Sequence, residues 1–196
     1  HIPVHLGAMG LFTRHLIEAF PKLSDGDILI SNHPAFGGSH LPDISLLAPV
    51  FMESDQPLCF LANRAHHAEI GGIAPGSMPG VVADLSEEGV ILYPQYLFKS
   101  GQSRMKKVEK ILRNAEFPSR QVEENMSDLF AQVASLRIGA QTMKALFCTY
   151  GIEEITTQMN HLRQESSSSC MEFLKGFGTA NLVGEQQLDD GVSLCL

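Results

Sequence analysis

The sequence is poor in the residues on which several protein classes depend. Its four cysteines, Cys59, Cys148, Cys170 and Cys195, are scattered and form no Cys-x-x-Cys pair, so neither a zinc ribbon nor a disulfide scaffold is indicated. Idle or buried thiols point to a reducing compartment, with cytoplasm as the expected location. Lysine and arginine together number 14 against 22 acids, a formal charge of −8, which argues against nucleic acid as a partner. The basic group Arg104, Lys106 and Lys107 is balanced by nearby acids and reads as a solvated face. No run approaches the ~20 apolar residues of a membrane span. No basic start with an apolar stretch behind it marks a signal peptide. The chain begins on His1, already inside a patterned segment, which reads as a start cut from something longer.

Two common catalytic signatures are also missing. Gly37-Gly38 and Gly71-Gly72 lack the Gly-Lys-Ser/Thr ending of a phosphate-cradling loop. Gly76-Ser77 has no Gly-x-Ser-x-Gly around it, so it is not a nucleophile elbow.

What the chain does have is 196 residues at 44% hydrophobic content, enough to bury a core. Its pattern predicts an α+β fold: a strand- and loop-rich part over 1–118, a helical part of the same domain over 119–178, and a truncated continuation over 179–196. In the first part, Leu11 to Phe20 reads as a short amphipathic helix stopped by Pro21. Asp25-Gly26-Asp27 is a turn feeding the strand Ile28-Leu29-Ile30. A loop rich in turn formers follows from Asn32 to Pro42. Strands are then expected at Ile44–Met52 and Leu58–Asn63, with a hairpin turn over 53–57, and a third at Val90–Tyr93. Ala68 to Gly80 reads as a Gly- and Pro-rich loop. In the second part, apolar residues from Met126 to Phe147 recur at steps of mainly three or four, one face of a long helix ended by Gly151. A second helix, carrying Ile152 to Phe177, is expected to pack antiparallel on it, with the serines at 166–169 as its weak point. Asp189-Asp190-Gly191 looks like a turn into a final strand.

Reactive side chains concentrate at His33, His40, Asp43, His66, His67 and Glu69. A hairpin turn centred near Asp55 would place Asp43 opposite His67 and close to His66, with His40 in the Gly37-Gly38-Ser39 entry to the strand. Imidazole and carboxylate suit divalent first-row metals, and adjacent strand residues face opposite ways, so at most one of His66 and His67 points at such a site. Spacing alone does not choose between them. Gly71, Gly72, Pro75 and Gly76 read as backbone residues, making tight turns and a close approach to a ligand. His1 and His5 flank a strand-like Ile-Pro-Val piece and could face the same pocket, though such residues are more often merely partly exposed. His15 and His161 lie on helix-like segments as surface or packing residues.

Residues 1–10 (HIPVHLGAMG), 26–43 (GDILISNHPAFGGSHLPD) and 64–79 (RAHHAEIGGIAPGSMP) resemble the hydantoinase B/oxoprolinase family. The resemblance continues through Asn125-Met126-Ser127-Asp128-Leu129, Ala131-Gln132-Val133-Ala134 and Tyr150-Gly151. Ser31-Asn32-His33-Pro34 favours the 5-oxoprolinase type, since many relatives carry Asn-Asp-Pro there. Ala65 stands where the family usually has Gly, and Glu69 where it usually has Asp, which makes Glu69 a doubtful direct ligand.

This resemblance implies a set of expectations. The reaction would be ATP-dependent hydrolysis of 5-oxo-L-proline to L-glutamate, with ATP bound by a separate hydantoinase A-like domain or subunit, so the isolated piece would be inactive. Carboxylase relatives hold a divalent metal through a His-x-x-Asp and a downstream histidine, which carries over to His40, Asp43 and His66. Manganese or zinc is favoured, magnesium or iron possible. His67 and Glu69 would move protons, and the Gly71-to-Gly76 loop would offer N–H groups to developing charge. A homo-oligomer is expected of the full-length protein. The rivals are an ATP-dependent hydantoinase B or acetone-carboxylase-like subunit, and a non-catalytic, metal-stabilised interaction module.

Overall fold

The computed structural model describes residues 3–77, 79–80, 82–178, 184–187 and 191–195. It forms two compact units, His1–Ala145 and Leu146–Leu196.

The first unit is built on an antiparallel sheet in the order β3-β2-β1-β4-β5. Its strands are β1 (Ile28–Ser31), β2 (Asp43–Val50), β3 (Cys59–His66), β4 (Gln95–Lys99) and β5 (Gln102–Ser103). Strand β2 is buried along its whole length, and alternate residues serve two different cores, with Asp43 and Ser45 as its buried polar residues. Leu29 and Leu47 join Phe12 and Leu16 of helix α1 (Pro3–Ala19) on one face. On the other face Ile30, Ile44, Leu46 and Ala48 pack with Met105, Val108 and Leu112 of α3 (Met105–Asn114), and with Leu129, Val133 and Leu136 of α4 (Val122–Tyr150). A short helix, α2 (Leu85–Glu88), lies in the loop before β4.

Three expectations need correction here. Helix α1 begins at Pro3, so the strand-like Ile-Pro-Val reading fails. Proline is well suited to the first helical position, because its missing N–H would be unpaired there anyway. Val90–Tyr93 is not a strand. The Asn32 side chain holds it instead: Nδ2 donates to Val90 O at 2.9 Å, and Oδ1 accepts from Leu92 N at 2.7 Å. The ladder resumes only at Gln95, beyond Pro94, which has no N–H to pair. Finally, α3 was unforeseen, although Met105, Val108 and Leu112 make a buried stripe with Lys106, Lys107 and Lys110 exposed outside it.

The loop after β3 is fixed by its glycines. Gly71 has φ +89°, and a Cβ there would lie 2.3 Å from Phe117 O. The close approach is therefore to the protein's own backbone, not to a ligand. Gly71→Ala is expected to cost about 2 kcal/mol or more, combining left-handed strain with the clash, readable as a lowered urea midpoint.

The second unit contains α5 (Ile152–Lys175) and a two-stranded antiparallel ribbon, β6 (Glu185–Gln187) with β7 (Ser193–Cys195). The serines at 166–169 do not interrupt α5, but none of its residues is buried, so its apolar positions Met159, Leu162, Met171 and Phe173 are exposed. The expected final strand is β7, while Asp189 and Asp190 of its turn lie outside the described residues, as does His1.

Candidate metal site at the end of the hairpin

The β2–β3 hairpin pairs Asp43 with His66, Ser45 with Arg64 and Leu47 with Ala62. This corrects the expected Asp43–His67 pairing by one residue. A one-residue slip moves every side chain to the opposite face, so the correction decides which histidine meets the carboxylate. Asp43, Ser45, Arg64 and His66 share one face, the one covered further along by α1.

Asp43 is the centre of the cluster, its side chain only 5% exposed. Its Oδ1 accepts from His66 Nδ1 at 2.8 Å, and its Oδ2 accepts from Ser39 Oγ at 2.7 Å and from His5 Nε2 at 3.0 Å. Burial pushes the Asp43 carboxyl up, but hydrogen bonds from Ser39 and His66 and the charge of His5 and His66 outweigh it and hold it below its usual range. His40 comes from the loop before β2. Its ring stacks on His66 with centroids 5.8 Å apart, and its Nε2 donates to Ser77 O at 3.0 Å. Ser77 itself sits in the left-handed region at φ 55°, fully buried, with Oγ donating to Gly71 O and accepting from Ile70 N.

These bonds set the imidazole tautomers. A carboxylate and a carbonyl can only accept, so His66 carries its proton on Nδ1 and His40 on Nε2. In the neutral form of each ring, His66 Nε2 and His40 Nδ1 are the nitrogens without a proton. The donor set of two imidazoles beside a buried, ionised carboxylate therefore fits a divalent cation, and the Asp43–His66 bond has the form of a carboxylate that orients a ligand histidine. Among the described residues no three His, Cys, Asp or Glu side chains already converge as a metal cage.

His67 and Glu69 lie elsewhere. His67 is fully buried, with Nε2 donating to Gln132 Oε1 at 3.3 Å and Nδ1 accepting from Asn125 Nδ2 at 3.2 Å. Burial pushes its pKa down despite the nearby Gln132 and Asp128, so the ring is neutral. The Asp128 carboxylate, 3.8 Å from Nδ1, is too distant to compete with Asn125. Glu69 is buried against Arg120, which reaches its Oε1 at 2.7 Å, while the Arg120 backbone N–H reaches Oε2 at 2.8 Å. Gly71 N also donates to Glu69 Oε1, and Ser119 Oγ lies 2.9 Å from Oε2 and 2.6 Å from Asn125 Oδ1, sharing one proton between them. Both residues brace the loop against α4, which leaves them no free group for proton transfer. In the Gly71-to-Gly76 loop, the N–H groups of Gly71, Gly72 and Ile73 bond to Glu69, Phe117 and Glu87.

Four residues that sequence reasoning passed over belong to this region: Ser39, Arg64, Asn125 and Gln132. Asn125 and Gln132 had a signal, since two amides seven apart on the buried face of α4 need polar partners. His5, read from sequence as partly exposed, stands on the first turn of α1 against Asp43.

The family model for hydantoinase B/oxoprolinase matches residues 1–196. The chain belongs to the hydantoinase B/oxoprolinase family. It is 38% identical to a 5-oxoprolinase of Saccharomyces cerevisiae over 97% of its own length, and 36% identical to 5-oxoprolinase 1 of Arabidopsis thaliana over 95%. It spans 16% and 15% of those two relatives. The solved ATP-dependent caprolactamase from Pseudomonas jessenii superposes on 97% of this chain and 32% of its own, with a TM-score of 0.81 at 24% identity, a likeness of fold.

Within this hydantoinase B fold, the His33 position has a structural explanation. His33 Nδ1 accepts from Ala35 N at 3.1 Å and caps the 3-10 turn Pro34–Phe36. The aspartate of Asn-Asp-Pro relatives can cap a turn in the same way.

Proposed function

We propose that this chain carries the metal-bearing, hydrolytic part of an ATP-dependent cyclic amide hydrolase of the 5-oxoprolinase type, which converts 5-oxo-L-proline, ATP and water to L-glutamate, ADP and phosphate. The gathering of His5, His66 and Ser39 on the buried Asp43, with His40 stacked alongside, is the observation that supports it most. The 5-oxoprolinase names of its relatives supply the substrate.

A lactam resists attack because amide resonance must be broken. Phosphorylating its carbonyl oxygen removes that resonance, and a hydantoinase A-type ATP-binding part, separate from this chain, would perform that step. His40 and His66 would hold a divalent cation through His40 Nδ1 and His66 Nε2, with Asp43 behind His66 to orient it and balance the charge. Manganese or zinc is best matched to this set, and magnesium or iron are the alternatives. When bound, the ion supplies Lewis acidity and makes water a competent nucleophile near neutral pH.

The chain's own residues prepare the site. Ser39 and the two histidines keep Asp43 ionised. In the neutral rings, Ser77 O fixes His40 and leaves Nδ1 without a proton, while Asp43 orients His66 and leaves Nε2 without one. His5, on the far oxygen of Asp43, is placed to hold a proton at the edge of the site. His67 and Glu69 keep the end of β3 in place. The setting is a cytoplasmic assembly that includes the ATP-binding partner.

The test is an assay of the full-length protein for glutamate released from 5-oxoproline, against ring opening of hydantoin. ATP-dependent glutamate release is expected. Hydantoin opening without glutamate would replace the proposal with a hydantoinase. Neither activity from a folded, metal-loaded protein would point to a non-catalytic module.

A further inference from the structure

Arg64 stands on β3 directly across from Ser45, on the same face as Asp43 and His66. Its guanidinium uses three nitrogens on three different partners. Nε donates to Ser45 Oγ at 2.6 Å, Nη2 to Gly37 O at 2.7 Å, and Nη1 to Ser39 Oγ at 3.3 Å. Ser39 in turn donates to Asp43 Oδ2 at 2.7 Å. The ring of Phe12 lies 6.0 Å beneath the guanidinium carbon. Arg64 therefore ties the hairpin to the 37–39 segment, whose next residue is His40.

The segment needs such a tie. Gly37 has φ +84° and packs so closely on α1 that a Cβ would lie 2.5 Å from Phe12 N, while a Cβ on Gly38 would lie 2.4 Å from Asn32 O. Two glycines in succession give a path that fits this narrow space but little stiffness of their own. Among the described residues, Arg64 alone bonds both to its backbone and to its serine.

We propose that Arg64 is a positioning residue for the metal site: its planar fork locks the Gly37-Gly38-Ser39 segment onto β2 and β3, and through Ser39 and His40 sets the site's geometry before the cation arrives. The proposal rests on the metal-site reading above. Arg64 touches neither substrate nor cation. It acts through Ser39 and the loop backbone, in the way that partners behind metal ligands set affinity by fixing ligand orientation. A lysine cannot replace it, because an ammonium is a point charge and does not span three acceptors in a plane.

The experiment is Mn2+ titration, followed by calorimetry and by the electron paramagnetic resonance signal of free Mn2+, into the wild-type chain, Arg64→Met, Arg64→Lys and Ser39→Ala. Thermal unfolding in chelator is recorded for each. Arg64→Met is expected to weaken Mn2+ binding roughly 10–100-fold, the range typical of partners behind metal ligands. Its chelator-state melting should change far less than that of a core variant. Arg64→Lys should not recover the affinity, and Ser39→Ala, at an exposed position, should fold normally and bind Mn2+ more weakly. Wild-type affinity in Arg64→Met, or full recovery in Arg64→Lys, would overturn the proposal. If Arg64→Met does not fold, Ser39→Ala decides: unchanged affinity there overturns it too. A wild-type chain that binds no Mn2+ would instead sink the metal-site reading itself.

Discussion

His66→Ala and His67→Ala are expected to fail in opposite ways, although the residues are neighbours. His66 is half exposed, with a 53% exposed side chain that bonds to Asp43. Its removal should leave the fold close to wild-type stability while emptying the metal site. His67 fills a fully buried position and satisfies both Gln132 and Asn125. Replacing it by alanine opens a cavity and leaves two buried amides short of a partner. A loss of about 3–5 kcal/mol is expected, of the size seen when large buried side chains are truncated. Urea unfolding of the two variants, beside their metal content, separates the roles. Equal destabilisation by both would contradict the placement of His67 as an internal brace.

Glu69 carries the second large effect, and it depends on pH. Its carboxyl is raised by burial, but the backbone and side chain of Arg120, Ser119 and Gly71 together outweigh that and hold it below the ordinary glutamate range. A carboxyl whose folded pKa is depressed binds more protons when the chain unfolds. Its contribution is therefore complete above the unfolded value of roughly 4.3 and is lost as pH falls through the folded value. The wild-type chain should lose stability progressively in that acid window. Glu69→Gln should be less stable than wild type at neutral pH and show a flatter acid limb. Asp43 contributes with the same sign, so the difference between the two proteins, not the wild-type slope, isolates Glu69. Glu69→Ala should cost about 2–3 kcal/mol at pH 7, short of a fully buried pair, because Arg120 is 42% exposed and can be rehydrated. Identical acid limbs in wild type and Glu69→Gln would show that the brace does not form.

The hairpin, β1 and the long helix α4 were legible because each is a run of apolar residues at one clear period, closed by Pro or Gly. The gathering of titratable side chains at the hairpin end was legible from residue type. The register was not. An eight-residue connection from Phe51 to Leu58 offers no tight-turn signature, and half a residue in its centre decides whether Asp43 faces His66 or His67. The family resemblance preferred His66 as the ligand, and the ladder sets His66 across from Asp43. Helix α1 was cut short in the sequence reading because Pro3, Gly7 and Gly10 look like breakers, although proline opens helices well and the packing of Phe12 and Leu16 outweighs two glycines. With α1 went His5. Arg64 could not have been found from pattern, since a lone arginine on a strand is ordinarily a surface charge. Its three acceptors meet only after the loop has folded back.

Asp43 joins every part of this account, so its replacement is the most direct test. The wild-type chain and Asp43→Asn, each stripped by chelator, reloaded with Mn2+ or Zn2+ and desalted, would be assayed for bound metal by elemental mass spectrometry. Asparagine keeps the shape but not the charge, and its amide nitrogen cannot accept the bonds that one of the Asp43 oxygens takes. Stoichiometric metal in the wild type and its loss in folded Asp43→Asn is the predicted result. Metal retained equally by Asp43→Asn, or none held by the wild type, would contradict a metal centre at this hairpin.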